Sequence, residues 1–411
     1  MGNLLKRRKF LENTSKAALA GFMPVGSVFS HLSNASDQVN LGVIGTGSRG
    51  NWLIKLLQDI PNASVIAGCD IIPERLKKGL ELSAPRSKGY SDYRKLLENK
   101  DIDAVIVSVP LSLHYEVAVA ALEAGKHVYC EKTMCFTTDQ ALKLGDIVNK
   151  SGLKFQVGYQ HRYNPLYNNI KGIIQNEDFG ELSHIECYWN RNGDWRRPVD
   201  NPKWERIINW RMYREFSGGL MAELSSHQLD IVNWILEDLP TSVTGYGGID
   251  YWKDGRETYD HVHSVFKYGN GVQASYTCLT TNAHMGYQML FYGKNATVQV
   301  TGEQGHKAFL YVEPSWLSGM QKPDEVDGVS GATLKTMDPG KPIPIAAGDR
   351  PEDDAEPTGK ALAGFADCIR EDKSPLSNYE NGKNSAICVA KANEAMQKEE
   401  RMDLKMAYSM K

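Results

Sequence analysis

Long apolar runs are missing from this 411-residue chain beyond its first thirty residues. That excludes a bilayer-spanning helix there, which would need about 20 mostly apolar positions. A charge excess is missing too: 47 basic side chains face 50 acidic ones, a net charge of -3, so there is no electrostatic footprint for nucleic acid. Cysteine is sparse, seven residues with no CxxC pair, so neither a disulfide framework nor a zinc ribbon is expected. Cys69 and Cys130 end apolar strands and read as small buried side chains. Internal repeats and low-complexity tracts are absent. What remains is 41% hydrophobic and long enough for two domains.

The chain is organised around Gly45-Thr46-Gly47-Ser48-Arg49-Gly50, which joins an apolar strand (41–44) to a helix-like stretch (51–59). Gly45 permits a tight turn, Gly47 lets a pyrophosphate approach bare backbone at a helix N-terminus, and Gly50 lets helix and strand pack closely. A second apolar run ends at Asp70, 20 residues beyond Gly50, a spacing that suits a bond to an adenine ribose hydroxyl. Asp70 favours NAD over NADP, because its charge repels a 2′-phosphate; Arg75, close by in sequence, pulls the other way.

Before this unit, Lys6-Arg7-Arg8-Lys9-Phe10-Leu11 and the modestly apolar 17–29 stretch read as a twin-arginine signal. Residues 1–38 are therefore expected to be signal and linker, and the mature chain exported, to a periplasmic location. The alternative is a basic N-terminal arm.

From 39 to 160, short apolar strands alternate with amphipathic segments, which implies a doubly wound parallel sheet, an α/β dinucleotide-binding domain. Residues 161–350 read as a second, α+β domain with a large open antiparallel sheet, 314–357 as a long loop, and 351–411 as closing helices with a short strand near 401–406. His261 and His263 alternate along one strand and share a face, expected to meet a helix. Four of the eight tryptophans fall within 189–210, interleaved with arginines and amides. Flat aromatic faces beside planar hydrogen-bonding groups suit a carbohydrate ring; a loop pinned by its tryptophans is the plainer reading.

The glycine loop, Pro110 to His114, Glu131-Lys132, and Gly218-Gly219 with Glu223, His227 and Asp230 together resemble the Gfo/Idh/MocA family of nicotinamide-dependent sugar and inositol oxidoreductases, over about 39 to the end. Three positions depart from its pattern: Thr133 replaces a proline, Glu223 an aspartate and Ser225 a glycine. The resemblance implies that the last helices return to the first domain and that the open sheet serves a homo-oligomer. Expected cofactor contacts are Gly45, Thr46, Gly47, Ser48, Arg49, Gly50, Asp70, Pro110, His114, Glu131, Lys132 and Gln160. Expected substrate contacts are Arg162, Tyr163, Trp195, Trp210, Glu223 and His227.

Oxidising a secondary alcohol needs a base tuned near ambient pH and a cation to stabilise developing negative charge. His227 suits the first task by its intrinsic pKa; Lys132 suits the second, or the first if desolvated. Glu223, one helical turn before His227, would orient the imidazole or hold a substrate hydroxyl. The leading expectation is an NAD-dependent oxidoreductase acting on a sugar or glycoside ring hydroxyl such as C3, with Lys132, His227 and Glu223 catalytic and the cofactor retained. One alternative is a glycosidase that oxidises transiently, eliminates the leaving group and reduces again; another is a non-catalytic sugar-binding protein. A metal on Glu223, His227 and His161 or His263 is set aside, because Lys132 would oppose a cation.

Overall fold

The computed structural model describes residues 38–302, 305–314, 316, 340–348 and 356–409. The twin-arginine segment and much of the 314–357 stretch lie outside the described residues. Six strands, β1 (Val39–Ile44), β2 (Ala63–Cys69), β3 (Lys88–Tyr90), β4 (Ala104–Val107), β5 (His127–Cys130) and β6 (Phe155–Val157), pair in parallel in the order β3-β2-β1-β4-β5-β6. Every residue of β4 is buried, as strands covered on both faces require. The covering helices are α1 (Ser48–Leu57), α2 (Pro73–Glu81), α3 (Tyr93–Leu97), α4 (His114–Glu123) and α5 (Thr138–Ser151). Their ends follow local rules: Thr137 and Gln140 form a capping box that starts α5, and Gly152, at φ +67°, ends it. The strand order reverses between β1 and β4, and a crevice opens there at the strand carboxyl ends.

The second unit holds α6 (Pro165–Ile174), β7 (Leu182–Trp189), α7 (Glu205–Ile208) and a π-helical turn (Met221–Ser225) leading into α8 (Ser226–Leu236). Strands β8 (Pro240–Gly248), β9 (His261–Tyr268), β10 (Gln273–Leu279), β11 (Tyr287–Gly293), β12 (Ala296–Thr301), β13 (Lys307–Val312) and β14 (Ile343–Ile345) follow. With β15 (Met402–Asp403) they form a nine-stranded sheet, β14-β13-β12-β11-β7-β10-β9-β8-β15. It is not wholly antiparallel, because β7 enters before a long crossover and β10 returns beside it in the same direction. Nor is 314–357 all loop, since β14 adds an edge by pairing with β13.

His261 and His263 do share a face, but it is the outward one. Val262, Ser264 and Phe266 alternate inward, while His263 is exposed and His261 bonds Asp250 at 2.6 Å. The expectation that this face meets a helix is corrected: the inward residues meet the core, with Ser264 against Met221.

Two helices close the fold, α9 (Pro357–Arg370) and α10 (Tyr379–Lys398). α9 sets Leu362, Phe365 and Ala366 into the first-domain core with Leu41 and Leu53. α10 contributes Ala386 and Ile387 to one core and Val389, Ala392 and Met396 to the other. Among the described residues no helix is long and apolar enough to cross a membrane.

Candidate active site

The crevice has a volume of about 880 Å³ and is walled by both domains. At its floor the glycine loop is dictated by sterics. Gly45 has φ +94°, and a Cβ there would lie 2.3 Å from the Ser108 carbonyl oxygen; at Gly50 it would lie 2.0 Å from that of Gly45. Gly47 is different: the nearest atom to a Cβ would be the Arg75 guanidinium at 3.6 Å. Its bareness serves no protein contact. It is also the N-cap of α1, with no side-chain cap and no acidic residue in the first turn. Free N–H groups at the positive end of a helix dipole suit a phosphate.

Asp70 lines the crevice at the end of β2, where Oδ1 accepts from the Ile72 N–H at 2.9 Å and burial raises its pKa. Gln160 also lines it, and its buried Oε1 has no partner among the described residues. These residues fit a dinucleotide. The Thr46 side chain does not line the crevice: it is buried with its methyl beside Gly79. Arg49 bonds Glu131 at 2.7 Å, and Ser48 Oγ accepts from Arg197 Nη1 at 2.7 Å. Pro110 and His114 are lining residues. His114 is buried, with Nδ1 2.8 Å from the Thr133 carbonyl and Nε2 3.0 Å from that of Val109.

Lys132 leaves the end of β5 and crosses the crevice. Its Nζ donates to the carbonyls of Ala222 (3.2 Å) and Glu223 (3.1 Å) and lies 3.9 Å from Glu223 Oε1. Both acceptors belong to the π turn, whose wider hydrogen-bond spacing disrupts the regular α ladder, a device common at functional sites. Thr133, joined to Lys132 by a cis peptide, donates Oγ1 to the Ala222 carbonyl at 3.1 Å.

Burial pushes the Lys132 pKa down, outweighing Glu223 and Glu131. Burial pushes Glu223 up, yet Arg211 and Lys132 outweigh it and hold the carboxyl below its ordinary value. His227 lies well below its ordinary value through burial first, then the neighbouring Lys132 cation. Its ring sits among Tyr159 (5.9 Å between centroids), His161 (5.4 Å) and Trp189 (5.7 Å), and Nδ1 has no partner among the described residues.

Several expected contacts are displaced. Glu223 does not bond His227; its Oε2 accepts from Arg211 Nε at 2.6 Å. Arg162 does not line the crevice but forms a buried pair with Asp230, Nε to Oδ2 at 2.7 Å and Nη2 to Oδ1 at 3.0 Å. Tyr163 is also absent from the lining, its hydroxyl donating to Gln156 Oε1 at 2.9 Å. Trp195 and Trp210 do line the crevice, joined by Trp189, Arg191, Arg197 and Arg211 of the same tryptophan- and arginine-rich segment that the sequence offered for a carbohydrate ring. Among the described residues no cluster of three or more His, Cys, Asp or Glu is placed to hold a metal ion.

A parallel sheet with this glycine loop, opening onto a second domain, defines a Rossmann-type dinucleotide-binding protein. Residues 39–159 match the family model described as "Oxidoreductase family, NAD-binding Rossmann fold", and 167–306 match "GFO/IDH/MocA C-terminal domain". The chain belongs to the Gfo/Idh/MocA oxidoreductase family. It is 34% identical over 200 residues to inositol 2-dehydrogenase of Salmonella typhimurium, covering 48% of this chain and 54% of that one. Levoglucosan dehydrogenase of Pseudarthrobacter phenanthrenivorans is 24% identical over 331 residues, 73% of this chain and 80% of the other. The chain thus spans only about half the length of the inositol dehydrogenase. The structure of an aldose-aldose oxidoreductase from Caulobacter crescentus complexed with glycerol shares the fold, with a TM-score of 0.71 at 18% identity, covering 89% of this chain and 100% of that one.

Proposed function

We propose that this chain is an NAD-dependent oxidoreductase acting on a ring hydroxyl of a sugar or glycoside, at C3. The observation that carries this reading is the buried Lys132 amine, held by two backbone carbonyls beside His227 in a crevice whose loop suits a dinucleotide. Gly45, Gly47 and Ser48 hold the pyrophosphate and Asp70 the ribose. When bound, the nicotinamide supplies the hydride-accepting carbon.

Lys132 takes the hydroxyl proton. A general base works best with a pKa near the operating pH; burial moves Lys132 towards that range from above, while His227 is pushed away from it below. As a neutral amine Lys132 keeps two N–H bonds to the carbonyls of Ala222 and Glu223 and turns its lone pair to the substrate. His227, neutral, hydrogen-bonds the reacting sugar. Glu223 and Arg211 hold the π turn and its carbonyls in place. Trp189, Trp195 and Trp210 cover the apolar ring faces.

Relatives named for inositol and levoglucosan support the substrate class. Asp70 supports NAD over NADP, and Arg75 beside Gly47 sits at the phosphate loop. The twin-arginine pattern supports export to the periplasm, where a retained cofactor is recycled by a second sugar. The outward sheet face, with Tyr246 and Val265 exposed, is taken as a homo-oligomer surface; sedimentation at two concentrations tests it.

The decisive experiment loads the protein with NAD and screens free sugars and glycosides, following NADH and product mass. A ketosugar is expected. Glycosidic cleavage without net redox change would replace this reading by the oxidation–elimination glycosidase, and no turnover of any sugar would defeat both. Protein purified without added cofactor is expected to release a nicotinamide dinucleotide on denaturation.

A further inference from the structure

The segment from Trp195 to Arg211 belongs to the second domain, yet it reaches both ends of the crevice and is tied down at each. At the reaction end Arg211 Nε donates to Glu223 Oε2 at 2.6 Å, beside Lys132. At the other end Arg197 Nη1 donates to Ser48 Oγ at 2.7 Å, 149 residues away in sequence and at the first position of α1 in the phosphate loop. Arg206, Ile208 and Trp210 line the crevice along the way.

Arg197 is held for this contact by its backbone. Its N–H donates to Asn209 Oδ1 at 2.8 Å and its carbonyl accepts from Asn209 Nδ2 at 3.0 Å; Asn209 is buried and also donates to Glu205 Oε2 at 2.7 Å. Arg197 itself is exposed, and Ser48 is its one side-chain hydrogen-bond partner among the described residues. A single bond to a neutral hydroxyl returns less than the rotamer freedom an arginine loses in making it, so that bond does not account for the placement. Charge is left over as well. Arg196 is matched by Glu205 at 2.6 Å and Asp254 at 3.4 Å, whereas Arg197 has no carboxylate in ion-pair contact among the described residues. Neither has Arg75, whose guanidinium lies 3.6 Å from where a Gly47 Cβ would stand. Two guanidinium groups without a counter-charge therefore meet consecutive residues, Gly47 and Ser48, at a helix N-terminus already suited to phosphate.

We propose that Arg197 binds the cofactor pyrophosphate from the second domain, so that the segment from Trp195 to Arg211 is a strap that must lift before the dinucleotide leaves. The inference rests on the NAD-dependent reading above and deepens its retained cofactor. With Nη1 on Ser48, Arg197 keeps Nε and Nη2, two parallel N–H donors that match phosphate oxygens in a two-point contact. Because the same strap carries Trp195 and Trp210, which cover the sugar, the dinucleotide has to be seated before the sugar wall is complete.

The test is the rate at which NADH leaves the loaded protein, followed by its fluorescence after addition of excess NAD, with calorimetric binding of ADP and adenosine in parallel. Arg197→Met is expected to speed NADH release and to weaken ADP binding, each at least about ten-fold, equivalent to about 1.4 kcal/mol, while adenosine, which has no phosphate, binds as before. Arg197→Lys should recover part of the loss, since charge survives without the fork. Lys203→Met removes one positive charge from the same segment outside the crevice lining and should change neither quantity. Unchanged NADH release and ADP affinity in Arg197→Met overturn the proposal. Equal weakening of ADP and adenosine overturns it too, because the strap would then act by packing and not by a phosphate contact. Rapid NADH loss from the unaltered protein that Arg197→Met makes faster still keeps the contact and removes the retained-cofactor reading; slow loss that Arg197→Met does not alter sinks this inference alone.

Discussion

At the scale of single residues, the site turns on how burial treats two bases. Lys132 and His227 are both buried and both pushed down, but they start from different heights, so only the lysine is carried towards neutrality. Replacing it by methionine keeps the apolar stem and removes the lone pair; kcat is expected to fall by about 10²–10⁴-fold while NAD still binds, which steady-state kinetics and a cofactor titration check. The sign of the pH effect follows from the same assignment. With Lys132 as base, kcat/KM should rise as pH increases and level off above its lowered pKa; a profile flat from pH 6 to 10 would count against it. Lys132 was legible in the sequence because a strand end in a parallel sheet has one place to point. Arg162 and Tyr163 were misplaced for the converse reason: after β6 the backbone turns through a 3-10 segment, and side-chain direction there depends on partners such as Asp230, 68 residues away.

At the scale of elements, the π turn and the two closing helices were the least legible parts. The spacing of Glu223 and His227 suggests neighbours on a regular helix, but the π turn intervenes and Glu223 meets Arg211 and Lys132 instead. Nothing in an apolar pattern distinguishes an α from a π turn; the difference lies in which carbonyls find outside donors. The strands of the first domain were legible because each is a short apolar run bounded by turns, whereas β14, three residues in a Pro-rich stretch, carries no such signal. α9 shows how the elements cooperate. Phe365 is buried, 5.8 Å from Tyr129 in the strand that delivers Lys132. Phe365→Ala should cost about 3–5 kcal/mol, read as a lowered urea midpoint. The buried Arg162–Asp230 pair ties the segment after β6 to α8. Asp230→Asn leaves Arg162 without its counter-charge and should cost about 3–5 kcal/mol; if the variant is held folded at low temperature, substrate KM should change little, as expected for a pair outside the crevice.

At the scale of the whole molecule, three histidines are enclosed where the two domains and the sheet converge: His114, His161 and His227. Each has its pKa lowered, burial being the first cause, and His161 falls to about 4. An unfolded histidine titrates near about 6.5. Between that value and the lower folded one, the unfolded chain binds protons that the folded chain refuses, so acidification destabilises the fold. A histidine that stays neutral in the folded chain contributes a slope of up to about 1.4 kcal/mol per pH unit. Asp70 and Asp230, whose carboxyls are raised by burial, act with the opposite sign, so the total slope alone does not identify its source. His161 offers the separation. Neither of its ring nitrogens has a partner among the described residues, and its ring packs 5.1 Å from Tyr167 and 5.4 Å from His227. Phenylalanine keeps an aromatic ring there while removing the titration and the unpaired polar atoms. Urea unfolding of His161→Phe between pH 6 and 5 should therefore show a slope about 1.4 kcal/mol per pH unit shallower than the unaltered protein, with stability at pH 7 equal or higher because no buried polar group is left unsatisfied. An unchanged slope would mean that His161 takes up its proton in the folded state, and the enclosure around His227 would then have to admit a charge that its packing is arranged to exclude.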